Sequence, residues 1–183
     1  GKSAAAAALA ASTGRPVVVA VAGVAEQDAE MQARIEEHRR ARPAGWRVLE
    51  VAGKGPAVWL REVSDDECLL VDCLGTLIAS ATWPPDTDLS AIPYGRAGEV
   101  AEQICDELIA RRGDTIVVTN EVGMGVVPHY PSGRAFADAL GMANRRLAKE
   151  ASAAFLVVCG RLLDLKALSS VEDLAREHRR DDD

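Results

Sequence analysis

Pro16-Val17-Val18-Val19-Ala20-Val21-Ala22 is the stretch that decides the fold class. An unbroken β-branched run of this length, without polar alternation, reads as a strand buried on both faces of a parallel sheet. Such a strand requires parallel neighbours and crossover helices, and the flanking sequence supplies both. On its amino side, residues 3 to 12 are dominated by alanine, the best helix former, and end at Ser12-Thr13-Gly14-Arg15-Pro16. On its carboxyl side, Glu26 to about Ala41 reads as a helix, with Glu30/Arg34 and Glu36/Arg40 at i,i+4 and Met31, Ile35 and His38 along one stripe. Pro43 then pushes Arg42 out of that helix.

The alternation continues along the chain. Trp46 to Val51 reads as a strand, Gly55 to about Val63 as a helix, and Cys68 to Asp72 as a second buried strand. Residues 83 to 95, with Pro84, Pro85 and Pro93, read as a loop or lid. Glu99 to Arg112 is a helix, Thr115 to Thr119 a strand, and Gly133 to about Glu150 a helix. Ala154 to Cys159 is a further continuous apolar strand expected in the same parallel sheet. Leu162 to Lys166 is a short final strand, and Val171 to Asp183 a terminal helix. The pattern predicts one α/β domain spanning residues 1–183, with a mainly parallel, doubly wound sheet and helices on both faces.

Composition narrows the function. The 183 residues are 48% hydrophobic, enough for one core, and the net charge of -7, without a long Lys/Arg run, argues against nucleic acid as the main partner. Cys68, Cys73, Cys105 and Cys159 form no C-x-x-C pair and have no histidine at metal spacing, so they read as reduced thiols in a cytoplasmic protein. The Ala4 to Ala11 run imitates a signal peptide but suits a helix better, and no stretch is long enough to span a membrane.

Three short signals carry chemistry. Gly1-Lys2-Ser3 matches the last letters of the phosphate loop G-x-x-x-x-G-K-[ST], in which backbone N–H groups cradle phosphates, the lysine reaches the β/γ oxygens and the hydroxyl binds Mg²⁺. The bland alternative is an ordinary helix start capped by Ser3. Asp72 ends an apolar strand, where a metal-binding carboxylate stands beside a phosphate loop; the alternative is a cap on the next helix. Thr119-Asn120-Glu121-Val122-Gly123-Met124-Gly125-Val126-Val127-Pro128 follows a strand, the position at which open α/β sheets bind ligands.

In order, G-K-S, then M-x-x-R-I-x-x-H-x-x-x-R-P-x-x-W at Met31 to Trp46, then L-L-V-D-C at Leu69 to Cys73, then T-N-E-V-G-M-G-V-V-P closely resemble the bifunctional adenosylcobinamide kinase/adenosylcobinamide-phosphate guanylyltransferase family of cobalamin assembly. The resemblance covers nearly the whole chain and implies a P-loop NTPase-like (RecA-like) fold. It also implies that a first parallel strand and the G-x-x-x-x portion of the loop, absent from these 183 residues, precede Gly1.

The implied chemistry is phosphorylation of the aminopropanol hydroxyl of adenosylcobinamide, then transfer of GMP from GTP to that phosphate with release of pyrophosphate. By motif alignment the guanylyl group is carried on His38, a nucleophile near neutral pH; a core histidine beside Met31 and Ile35 is the alternative. Gly1 and Lys2 would meet the β/γ phosphates, and Ser3 and Asp72 would hold Mg²⁺. Arg34 and Arg42 are phosphate contacts or helix-surface charges, and Asn120 and Glu121 meet either the nucleotide or the corrinoid side chain. GTP, ATP and adenosylcobinamide are the implied partners, and a homotrimer the implied assembly. Two rival readings share fewer of these residues: a monofunctional P-loop kinase or nucleotidyltransferase, with no use for His38, and a non-catalytic nucleotide-binding subunit.

Overall fold

A computed structural model gives the fold and describes residues 1–23, 36, 40, 42–84, 92–171 and 173. Strands β1 (Val17–Val21), β2 (Arg47–Glu50), β3 (Cys68–Asp72) and β4 (Thr115–Val118) form a parallel sheet in the order β2-β1-β3-β4. β1 and β3 are the interior strands, and Val19 pairs in register with Val48 on one side and Leu70 on the other. Their unbroken apolar sequences follow from this position. Val18, Ala20, Leu69 and Val71 enter one core, while Val17, Val19, Cys68 and Leu70 enter a second core on the opposite face.

Four helices cover the first face: α2 (Pro56–Trp59, continued by a 3-10 turn to Glu62), α3 (Leu74–Thr82), α4 (Arg96–Ala110) and α5 (Pro131–Glu150). Trp59, Leu74, Leu77, Ile78, Ile104 and Leu140 are fully buried among them. The other face carries α1 (Lys2–Ser12), which lays Ala6 and Ala10 against β3 and β4. Alanine side chains let that helix approach the sheet closely. Helices on both faces of a parallel sheet make this the doubly wound α/β architecture expected.

Three differences from the sequence reading are structural findings. First, 154–159 does not join the parallel sheet: β5 (Phe155–Val158) pairs antiparallel with β6 (Arg161–Asp164) in a separate two-stranded ribbon. Cys159 and Gly160 connect them with φ of 50° and 72°, the two positive values that a tight two-residue hairpin turn requires. A two-residue turn allows no parallel crossover. Second, α3 fills 74–82, which the sequence reading leaves unassigned, and Cys73 caps it through reciprocal contacts with Thr76. Third, most of the helix expected over Glu26–Ala41 and of the terminal helix lies outside the described residues. Glu36 and Arg40, which are described, are helical and form the expected i,i+4 pair at 3.1 Å.

Candidate functional site

The site is built where α1 starts and β3 ends. Gly1 precedes the first helical residue, and its carbonyl accepts the Ala5 N–H at 3.0 Å. A Cβ on Gly1 would come within 3.6 Å of Val157 Cγ1 and 3.8 Å of the Gly160 Cα, so the first turn of α1 lies against the β5–β6 ribbon. Lys2 is exposed and Ser3 is half-buried.

Ser3 does not cap its helix. Its hydroxyl instead donates to Asp72 Oδ1 at 3.1 Å, across 69 residues of sequence. Asp72 likewise leaves the capping of α3 to Cys73. Both bland alternatives for these residues are therefore set aside, because their side chains meet each other. A hydroxyl and a carboxylate oxygen in contact form a hard oxygen pair of the kind that holds Mg²⁺ together with water and substrate phosphates.

A second layer stands on the neighbouring strand. Thr119 Oγ1 donates to Asn144 Oδ1 at 2.7 Å, and Asn144 Nδ2 donates to the Asn120 carbonyl at 3.0 Å, so α5 fixes the chain as it leaves β4. A Cβ added to Gly75, near the start of α3, would stand 4.0 Å from Asn120 Nδ2, which puts the Asn120 amide close to the Asp72–Cys73 end of β3. Glu121 turns back on its own loop, accepting the Gly123 N–H at 2.8 Å. Further along, Arg134 donates to the carbonyls of Pro128 and His129 at 3.0 and 2.6 Å and ties the loop's far end to α5.

The family model described as cobinamide kinase / cobinamide phosphate guanyltransferase matches residues 1–165. The chain belongs to this family. It is 32% identical over 154 residues to "Bifunctional adenosylcobalamin biosynthesis protein CobU" of Salmonella typhimurium, covering 79% of this chain and 83% of that protein. It is 33% identical over 142 residues to the protein of the same name from Escherichia coli K12, covering 73% and 77%. A third relative, "Bifunctional adenosylcobalamin biosynthesis protein CobP" of Pseudomonas aeruginosa, is 36% identical over 166 residues and covers 91% of each chain.

For a member of the cobinamide kinase/guanyltransferase family, the site divides as follows. Ser3 and Asp72 are in contact, Lys2 precedes Ser3 in the chain, and Asn120 approaches from the next strand. Arg42 is half-buried in a bend ahead of β2. His38 and Arg34 lie outside the described residues. Asn144 is the position that sequence reading misses, while Thr119 enters it only as the first letter of the Thr119–Pro128 motif. The signal for Asn144 was available: asparagine favours caps and turns over helix interiors, yet it stands in the middle of a 20-residue helix.

Proposed function

We propose that this chain phosphorylates the aminopropanol hydroxyl of adenosylcobinamide and then transfers GMP from GTP to the resulting phosphate. The observation that carries the proposal is the Ser3–Asp72 contact at the start of α1, joined to family membership across residues 1–165. In the first reaction the substrate hydroxyl oxygen attacks the γ-phosphorus of a nucleoside triphosphate, ATP or GTP, and the diphosphate leaves. Lys2 would neutralise the β/γ oxygens, and Gly1, having no side chain, leaves the first turn of α1 open to them. Ser3 and Asp72 would hold Mg²⁺, which when bound spreads charge away from the transferring phosphoryl group.

In the second reaction an imidazole nitrogen of His38 would attack the α-phosphorus of GTP, breaking the bond to the β-phosphate and releasing pyrophosphate. The phosphate of adenosylcobinamide phosphate then attacks the same phosphorus, breaks the P–N bond and restores the histidine. Arg34 and Arg42 would meet phosphate oxygens during this exchange. The Asn120 amide, close to the Asp72 end of β3, is suited to orient either substrate.

The test is incubation of the full-length protein with Mg-GTP and no corrinoid. One GMP should become attached through a bond that acid cleaves and alkali spares, and His38→Asn should abolish both the adduct and guanylyl transfer while phosphorylation continues. An adduct that persists in His38→Asn would remove His38 from the chemistry. No adduct in the parent protein would favour a monofunctional kinase.

Two further attributes belong to the same reading. Free cysteines and nucleoside triphosphate substrates suit the cytoplasm; among the described residues, no helix is long and apolar enough to cross a membrane. Self-association is supported by apolar surface on the 119–130 loop, where Met124, Val126 and Val127 are exposed by 81%, 95% and 74%, and the homotrimer is what the family resemblance implies. Sedimentation equilibrium would measure its mass.

A further inference from the structure

An open trough of about 470 Å³ runs along the outer side of α5, between that helix and the loop after β4. Glu121 and Gly123 line it from the loop, and Asp138, Gly141, Asn144 and Arg145 from the helix. The helix positions recur three and four residues apart, so they form one stripe. It faces away from the side of α5 on which Ala135, Ala139, Leu140 and Ala143 are buried.

Gly141 is the informative residue. Glycine inside a helix costs about 1 kcal/mol relative to alanine. Close packing within the chain does not require it, because a Cβ at 141 would meet nothing within 4 Å. Gly133, by contrast, would bring a Cβ to 2.8 Å from Pro128, and its bareness is explained by the fold. The bare backbone at Gly141 lines the trough.

The charges around that floor select the occupant. Two carboxylates, Glu121 and Asp138, stand with one guanidinium, Arg145, and the Asn144 amide. A polyphosphate would be repelled by the carboxylates. A neutral carboxamide, which donates through its N–H groups and accepts through its oxygen, finds both kinds of partner. Asp138 already accepts the Tyr94 hydroxyl at 2.7 Å, which adds an aromatic wall beside the carboxylate.

We propose that this trough seats a carboxamide-bearing edge of the corrinoid substrate. The inference rests on the reading given under Proposed function and names the binding surface for its larger substrate. A volume of about 470 Å³ lies within the ordinary range for ligand pockets but holds an edge of a corrin, not the whole macrocycle. Asn144 belongs to the trough and also fixes Thr119 and the Asn120 carbonyl, so a corrinoid seated there lies beside the strand end that carries the Asn120 amide toward Asp72.

The decisive variant is Gly141→Phe, which fills the trough while relieving a helix glycine; Asp138→Ala, which removes an acceptor, is the second. Cobinamide binding is read by equilibrium dialysis using the corrinoid's visible absorbance, an arm that works even if the parent protein catalyses nothing. In Gly141→Phe the cobinamide Kd and the kinase KM for cobinamide should rise about tenfold or more. Asp138→Ala should shift both in the same direction. The KM for GTP and the yield of GMP adduct without corrinoid should stay at parent values in both variants, and Tm should not fall in Gly141→Phe. Cobinamide affinity within about twofold of parent in Gly141→Phe would overturn the proposal. So would equal loss of the corrinoid-free adduct, which would make the effect structural, or a change in sedimentation mass, which would make the trough a subunit contact. Tight cobinamide binding by a parent that forms no adduct would refute the bifunctional reading and leave this one standing.

Discussion

Ser3 and Asp72 are held by each other, and the pair belongs to neither helix-capping system around it. That arrangement separates their role from stability. The two groups are half-buried, and a hydrogen bond from a hydroxyl to a carboxylate at such a site contributes about 1.5 kcal/mol. Under the proposed reaction the same carboxylate would hold Mg²⁺ against the transferring phosphates, and there it would be worth far more. Asp72→Asn keeps an oxygen for the Ser3 hydroxyl and removes only the charge, so phosphorylation of cobinamide should slow by about 10²-fold or more, while unfolding free energy moves by less than about 1 kcal/mol. Ser3→Ala should slow the same step. Under the proposal both residues hold one ion, so the double variant should be little slower than the worse single one. Initial rates across an Mg²⁺ titration, with urea unfolding curves, check this; rate losses that multiply in the double variant would show the two residues acting independently.

The elements fix which thiols chemistry can reach. Cys68 opens β3 and Cys105 lies on the inner face of α4, both fully buried, whereas Cys159 sits in the exposed hairpin turn. Burial pushes the Cys68 thiol up, and burial together with the neighbouring carboxylates pushes Cys105 up to about 11, partly countered by Arg146. A thiol-specific chromogenic disulfide at about pH 8 should therefore modify Cys159 in the native protein and spare Cys68 and Cys105 until the chain unfolds. Rapid native modification of Cys105, located by peptide mass, would mean that the α4–α5 packing opens.

The same elements show what sequence can and cannot reveal. β1 and β3 were legible because a strand buried on both faces leaves an unbroken apolar run. β5 carries an equally unbroken run, Phe155 to Val158, and was misassigned: local sequence does not distinguish a central parallel strand from a hairpin arm whose Phe155 and Val158 are exposed by 43% and 55%. The helix α3 escapes a sequence reading because it follows β3 after a single residue, Cys73, and the nearby glycine, Gly75, lies inside the helix instead of between the two elements. Ser3 and Asp72 were legible because each ends a short motif. Asn144 was not, because its function comes from two partners 24 and 25 residues away.

At the scale of the whole molecule, the two ends of the sheet do different work. The carboxyl ends carry the Ser3–Asp72 contact at which the phosphate site is proposed, and the amino ends are tied together by arginines. Arg47, the first residue of β2, pairs with Glu67 at 2.9 Å and donates to the Glu62 carbonyl at 2.7 Å. Arg111 reaches the Ser64 and Glu67 carbonyls ahead of β3 at 2.6 and 2.7 Å and the Asp114 carbonyl ahead of β4 at 2.9 Å. Arg15, just before β1, pairs with Asp114 at 2.8 Å and donates to the Asp65 carbonyl at 3.2 Å.

Glu67 is the titratable centre of this clamp. Burial pushes its carboxyl up, but the Ser64 N–H, the Arg47 guanidinium and the charge of Arg111 outweigh burial and hold it below its ordinary 4.5. The folded state therefore binds fewer protons at Glu67 than the unfolded chain does, so its contribution is fully present above 4.5 and is lost as pH falls through the lower folded value. Glu67→Gln should cost about 1 kcal/mol at neutral pH, and the difference from the parent should shrink as pH drops below 4.5. Urea unfolding at neutral pH and at successively lower pH measures it. A difference that stays constant with pH would assign Glu67 to packing alone. Adduct formation with GTP should be unchanged in Glu67→Gln at neutral pH, because the clamp and the proposed phosphate site at Asp72 lie at opposite ends of β3.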